Sequence, residues 1–437
     1  MLSPAHVATA TPQPLPPATF AWTATALGLV TSDAEHAGKI YIGRDGGYSI
    51  RLDALGSLWL FGDTLVRGPA PASKILSFSP GSSAAVGPSG LSQLATGLRE
   101  VVPDVGIAPA LNKPARQAFI PNPKATYLPG GAGSCSQGAG RFGARWPTGA
   151  ARLGASLNVL ISYVDVCVIG SLTTVEGFGV AIWSAKTFHY VLPPTDLIAP
   201  SPSGRALDLG SIWTSPIVEP DGSIDFFSTT SDPAQPGTSI VRSAHVAKDA
   251  SLTNLSSYVA RTLRGPLNGS FPGRLLHFAA YPGAKAGSVL YRAIGSRFVL
   301  GTATVSSSSS LTGPWVDNGA AQLPDCPRPK GSFCWSLIGH PEMSAASSLV
   351  VSYYSPGTAS DFGHIRLLRL TPTPTPVTST TSTTSTTQPA STTTTTRPAS
   401  TTTTTRPAST TTTTTSRPPL TTTTTRPAST TTTTRRA

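Results

Sequence analysis

An all-β fold, a five-bladed β-propeller followed by a disordered Thr/Pro-rich tail, is predicted by three features of the sequence. Short apolar runs alternate with glycine, proline and aspartate turn signals through residues 21–370, and long helical periodicity is missing. A loose unit recurs: a Trp or Pro segment leads into an apolar strand, a Gly/Asp turn and a second strand carrying aromatics. Its starts fall near Ile40, Trp146, Trp213, Leu275 and Trp335. Five four-stranded blades of about 60–75 residues would fill about 330 residues, close to the length of this region. A pair of sandwiches is the alternative, and strand number and length favour the propeller.

In chain order, strands are expected at Lys39–Ile42, Tyr48–Leu52, Ser57–Phe61, Leu157–Val164, Gly179–Ser184, Ile224–Ser228 and Ser239–His245. The remainder fall at Val289–Ile294, Arg297–Ala303, Leu349–Tyr354 and His364–Leu370. Tight turns are expected at Pro220-Asp221-Gly222-Ser223 and across Ala293–Ser296. Residues 1–20 form a leader remnant or Pro-rich segment, 21–370 the propeller, and 371–437 the tail.

The tail explains most of the unusual composition. Threonine occupies 36 of its 67 positions, no acid occurs, and six arginines supply half of the formal net charge of +12. Residues 1–370 carry 26 basic and 20 acidic residues, so the folded part is only mildly basic. A nucleic-acid partner is therefore not expected, because a binding patch should cluster its charge on a folded surface. The repeated TTTTTRPAS unit cannot bury apolar area and suits an extended, O-glycosylated stalk. No run of about 18 apolar residues is present to span a membrane.

Export is also expected from the two ends of the chain. Ala8-Thr9-Ala10 fits a small-residue cleavage pattern ahead of a Pro-rich lead-in, as if Met1 lay inside a signal peptide whose apolar part is upstream. The four cysteines, Cys135, Cys167, Cys326 and Cys334, show neither CxxC nor zinc spacing and read as two disulfides. Cys326–Cys334 is favoured by its short loop, with Cys135–Cys167 as the second, although four cysteines allow three connectivities.

The segment Ile40–Val66, IYIGRDGGYSIRLDALGSLWLFGDTLV, carries the candidate chemistry. Asp45 and Asp63 each lie against glycines, which admit close approach of backbone or ligand. Trp59-Leu60-Phe61-Gly62 runs straight into Asp63, which places that aspartate at a strand end instead of a surface turn. Inner strands of a propeller face its channel, so acids there can converge, and Arg44, Tyr48 and Trp59 stand close enough in sequence to contact a sugar. His340 and Glu342 alternate to one face and are candidates for the same lining. Asp165 sits inside the apolar run LISYVDVCV and needs a partner. It and Glu176 are candidate third acids. Glu219 and Asp221 read as an exposed hairpin, and Trp146, Trp213 and Trp335 as blade core in preference to a sugar-stacking platform.

The stretch IGRDGGYSIRL…LWLFGDT resembles the first blade of a secreted bacterial family, the endo-D-arabinanases of glycoside hydrolase family 183. Leu311-Thr312-Gly313-Pro314-Trp315 is similar to a blade-edge motif of sugar-cleaving propellers. Gly339-His340-Pro341-Glu342-Met343 with Leu349–Gly357 is similar to the final blade, so the resemblance extends over about residues 38–370. It implies a five-bladed propeller whose paired catalytic aspartates, 18 residues apart, match Asp45 and Asp63. It further implies cleavage of arabinan-type cell-wall polysaccharide, with inversion, by a monomer. No cofactor is implied, although related propellers often hold a structural calcium or sodium in the channel.

The residue types suit this chemistry independently. Glycoside cleavage uses one protonated carboxyl to protonate the leaving oxygen and one carboxylate to activate water or attack carbon. A separation of roughly 6.5–9.5 Å inverts and about 5–5.5 Å retains. Three functions compete: a hydrolase using Asp45 and Asp63, a non-catalytic carbohydrate-binding propeller, and an adhesin whose function lies in the tail. No GxSxG, P-loop, HExxH or sialidase Asp box is present.

Overall fold

The computed structural model describes residues 20–32, 35, 40–68, 75–89, 97–107, 118–123, 141–169, 172–200, 207, 211–231, 239–265, 267, 274–297, 301–324, 326, 334–355 and 363–374. The chain divides into two units, Met1–Val377 and Thr378–Ala437, and the second lies outside the described residues, as does the expected leader.

Strand β1 (Phe20–Leu29) precedes the first blade. Blade I holds β2 (Tyr41–Arg51), β3 (Ser57–Arg67), β4 (Ile75–Ser79), β5 (Ser83–Gly87), β6 (Arg99–Val102) and β7 (Gly106–Ile107), in the order β2-β3-β5-β6-β7 with β4 also on β3. Blade II is β8 (Arg141–Arg152), β9 (Asn158–Ile169), β10 (Leu172–Ser184) and β11 (Tyr190–Ile198), each paired to the next. Blade III repeats this meander with β12 (Thr214–Val218), β13 (Ile224–Ser231), β14 (Ser239–Val246) and β15 (Val259–Arg261). Blade IV is β16 (Arg274–Pro282), β17 (Val289–Arg297), β18 (Thr302–Ser308) and β19 (Val316–Gln322). Blade V takes β20 (Trp335–Gly339), β21 (Leu349–Ser355) and β22 (His364–Pro374) from the end of the domain and β1 from its start. The five inner strands β2, β8, β12, β16 and β20 neighbour one another in a closed ring. The fold is a five-bladed β-propeller.

The sequence specifies this arrangement through its central strands. Every residue of β3 from Ser57 to Val66 is buried, and β9 is buried from Val159 to Val168. A sheet that alternated apolar and polar residues would have one wet face; these strands are covered on both faces by the adjoining blades. Among the described residues, five of the seven apolar clusters form one wedge at each blade boundary. Phe119 and Trp183 belong to the wedge of blades I and II, Phe226 and Phe178 to II and III, Phe227 and Phe278 to III and IV, Tyr281 and Tyr353 to IV and V, and Trp59 and Ile365 to V and I.

The expected unit starts coincide with the inner strands, since Trp335 and Leu275 lie in β20 and β16, Trp146 in β8, Ile40 one residue before β2 and Trp213 one before β12. The Pro220–Ser223 turn is present, with Glu219 and Ser223 paired across it. The turn expected at 293–296 is absent: those residues lie inside β17, where Ala293, Gly295 and Ser296 pair in register with Ser306, Thr304 and Ala303. β22 continues to Pro374, beyond the boundary expected at residue 370, because Phe20–Trp22 pair with its last residues. The Cys326–Cys334 disulfide is formed. Cys167 is not free, and Cys135 lies outside the described residues. No helix among the described residues is long and apolar enough to cross a membrane.

Closure depends on β1. Trp22 is buried in the wedge of blades IV and V, and its indole Nε1 donates to the Asn318 carbonyl at 2.9 Å. Replacing it removes both ring packing and a buried donor. Trp22→Ala is expected to lower the unfolding free energy by about 3–5 kcal/mol, read from urea denaturation; an unchanged midpoint would show that the ring does not rely on this anchor.

Candidate active site

The β2–β3 hairpin builds the site through a paired irregularity. Arg44 stands opposite Thr64 and Gly46 opposite Phe61, so Asp45 alone faces the two residues Gly62 and Asp63. The register recovers one step later, where Gly47 is the extra residue on β2. Gly46 and Gly47 have φ of 82° and 122°, conformations that side-chain-bearing residues rarely adopt. A bulge of this kind re-aims side chains, and here it brings the two aspartates together. Asp63 also lies where β3 changes partner: Ser57–Phe61 pair with β5, whereas Thr64–Arg67 pair with β4. The expectation of a strand end is therefore corrected. Asp63 is inside β3, and what ends at that point is the pairing with β5.

Each aspartate is held by a tryptophan from a different flanking blade. Asp45 Oδ1 accepts from Trp335 Nε1 of blade V at 2.8 Å, from its neighbour Gly46 N at 2.7 Å and from Ser336 Oγ at 3.4 Å. Asp63 Oδ1 accepts from Trp146 Nε1 of blade II at 2.8 Å and from Gly81 N at 2.7 Å. The sequence gives indole rings at the starts of inner strands but no sign of which acid each would meet. Both Trp146 and Trp335 are thus donors to the acids, while Trp213 packs on the wedge of blades II and III as core.

Three other buried carboxylates have cationic partners. Glu100 is paired with Arg44, Asp165 with Arg145 at 2.9 Å, and Asp225 with Arg261 at 3.2 Å and His245 at 3.3 Å. Among the described residues no Lys or Arg forms an ion pair with Asp45 or Asp63. Burial raises both aspartates, and only neutral donors oppose it. Asp63 is pushed up to about 7, burial being the main cause and the charge of Asp45 a further one. Asp45 has three donors to the two of Asp63, which favours it as the group that ionises first. Both carboxyls are therefore held above the usual carboxylate range by burial, Asp63 to about 7.

The remaining expected site residues are divided by the structure. Arg44 is 6 % exposed, paired with Glu100 and placed over the Phe61 ring at 4.5 Å, so its cation is already engaged. Trp59 is 0 % exposed and stacks with Phe61 at 6.2 Å between blades V and I; a sugar-contact role is corrected to core packing, because β3 is covered on both faces. His340 is likewise 0 % exposed. Its Nδ1 meets Ser49 Oγ, which also donates to Glu342 Oε1. Burial pushes His340 down to about 3 and His277 to about 4, so both are neutral near pH 7. Tyr48, Ser49, His277 and Glu342 line an axial cavity of about 290 Å³ whose walls come from all five inner strands. Its lining includes Arg51 and neither Asp45 nor Asp63.

Asp165 finds the partner its setting demanded, in a cluster where Arg145 also binds Asp196 at 2.9 Å and Tyr163 donates to Asp196 at 2.8 Å. Glu176 is buried on β10, in the third strand of blade II. Glu219 accepts from Tyr291 and is half-buried, whereas Asp221 is exposed, so only Asp221 matches the expected hairpin exposure. Among the described residues no three His, Cys, Asp or Glu side chains are grouped to hold a metal ion; in the channel Glu342 accepts from Ser49 and His277 from the Gly339 amide.

No family model matches the sequence, and no curated protein matches it. Solved structures do align. A candidate hydrolase from Bacteroides ovatus has a TM-score of 0.49 and 15% identity, covering 76% of this chain and 92% of that one. CoXyl43, a β-xylosidase/α-arabinofuranosidase from a compost metagenome, gives 0.40 and 12%, covering 76% and 92%. The Bacillus subtilis arabinanase Arb43A gives 0.35 and 14%, covering 75% and 93%. Likenesses this distant carry no argument about chemistry, and the propeller assignment rests on the sheet order above.

Removing one neutral donor should move the acid it holds. In Trp146→Phe the ring is kept and the indole N–H is lost; a hydrogen bond to a charged group is worth about 1.5–3 kcal/mol, or about one to two pH units. The Asp63 midpoint, followed by carbon NMR of the carboxyl, should rise above about 7. A fall would show that the indole does not stabilise the carboxylate.

Proposed function

We infer that this chain is an exported glycoside hydrolase that cleaves furanosidic cell-wall polysaccharide, endo-acting on the D-arabinan of arabinogalactan or lipoarabinomannan. The observation that carries the reading is the Asp45–Asp63 pair, a half-buried and a buried carboxyl on paired strands, both raised by burial and neither in an ion pair with a described Lys or Arg. Asp63 is the general acid that protonates the leaving glycosidic oxygen. Asp45 is the base that activates water. The tryptophans draw their bound oxygens toward blade II and blade V respectively, opposite flanks of blade I, an arrangement that supports room for a water between them and hence inversion. The first-blade motif supports the D-arabinan substrate class, and the disulfide and the Thr-rich tail support export to the cell surface.

Asp63→Asn should lower the release of oligosaccharides from purified arabinogalactan by about 10²–10⁴-fold, with intermediate-sized products from the parent marking endo action. Proton NMR of the first-formed anomer checks inversion, and retention would overturn that part of the reading. Activity should fall as pH rises through about 7, because the acid then loses its proton. Stability shifts the same way: a carboxyl raised by folding contributes stability that is present below its unfolded midpoint and lost as pH rises through about 7. Asp63→Asn has no proton to lose, so it should melt above the parent at pH 9 and close to it at pH 4. An inactive variant that is also less stable at pH 9 would point to misfolding instead of lost acid catalysis.

A further inference from the structure

Asp63 is held by two donors from separate parts of the chain, and one side chain binds the backbone behind both. The β4–β5 connection at Pro80–Ser82 crosses β3 beside Asp63, and a strap of residues 118–123 lies against it. Phe119 N donates to Ser82 O at 2.8 Å, and Ile120 N donates to Ser82 Oγ at 2.7 Å. At the end of this strap, Asn122 Nδ2 donates to the Pro80 carbonyl at 2.8 Å, and Asn122 Oδ1 accepts from Arg145 N at 3.0 Å.

The Pro80 carbonyl and the Gly81 N–H belong to one peptide unit, and that N–H is the backbone donor to Asp63 Oδ1 at 2.7 Å. The amide of Asn122, the 80–81 peptide and the carboxyl therefore form one head-to-tail chain, in which each bond polarises the next. The second arm ends on the residue before Trp146, the other donor to Asp63. Only one orientation of the Asn122 amide serves both arms, since a flip would set donor against donor and acceptor against acceptor. Gly81 completes the fit. It has φ of 102°, and a Cβ there would lie 2.2 Å from Asn122 Oδ1, so the amide rests directly on the glycine.

We propose that Asn122 is a positioning residue for the general acid: it locks the Pro80–Gly81 peptide and the start of Trp146 so that both donors converge on Asp63 Oδ1. Sequence alone offered no sign of this, because Asn122 lies in a Pro-flanked loop between two blades. The inference rests on Asp63 being the acid, yet its readout does not require turnover.

The experiment follows the Asp63 carboxyl by carbon NMR in the full-length parent, Asn122→Ala and Asn122→Asp, alongside pH–rate profiles on arabinogalactan. Asn122→Asp keeps the size and the acceptor for Arg145 N but loses the donor to Pro80 O. Both variants should raise the Asp63 midpoint by about half to one pH unit, consistent with a weakened charge-assisted bond. The alkaline limb of activity should move up with it, while kcat falls about tenfold and KM changes less than about twofold. A midpoint that matches the parent in folded Asn122→Ala overturns the proposal. So does a loss of kcat at an unmoved limb, which would mark a merely structural loop. Should Asn122→Ala not fold, Asn122→Ser, which adds no charge, decides instead, because the carboxylate of the aspartate variant raises Asp63 by repulsion as well. If the parent releases nothing from any arabinan, the functional reading fails, and the NMR midpoints still test the role of Asn122.

Discussion

Closure of the ring is the constraint on which the rest of the molecule depends. Each blade is an antiparallel meander with two apolar faces, and neither face is satisfied until a blade stands on either side. A linear row would leave the outer faces of the first and last blades wet. The chain avoids this by giving blade V its outermost strand from its own beginning, so that β1 pairs with β22 and seats Trp22 in the last wedge. The same closure assembles the site. Trp335 reaches Asp45 across a separation of 290 residues, which only a closed ring brings within 2.8 Å.

Pairing distinguishes three of the buried acids from Asp45 and Asp63. Taking an ion from water into a protein interior costs on the order of several kcal/mol, and most buried carboxylates here are offset by an arginine. Asp45 and Asp63 have indole and backbone N–H groups instead, which stabilise the carboxylate less than a cation does. The consequence is that burial raises both, Asp63 to about 7.

Much of the framework was legible in the sequence. Inner strands announced themselves as apolar runs behind Trp or Pro, and the five starts landed on or beside β2, β8, β12, β16 and β20. The glycines around Asp45 and Asp63 were visible as places of close approach. Their role as a compensated pair of bulges was not, because register depends on the partner strand. Trp59 and Arg44 show the same limit: proximity in sequence to Asp45 and Asp63 said nothing about side, and both turn into packing and a buried ion pair. The 293–296 turn failed for a related reason, since small residues mark turns and also sit in register within strands.

The sequence by itself determined the class of fold, the number of units, the short-loop disulfide and the two aspartates as the candidates for chemistry. These follow from local composition and periodicity, which depend on neighbours in the chain. Tertiary structure alone decided which donors meet those acids, that no described Lys or Arg pairs with them, and that Asn122 stands behind both arms of Asp63. Those properties depend on groups up to 290 residues apart converging on a desolvated carboxyl, and burial and pairing are set by the closed ring, not by any one segment.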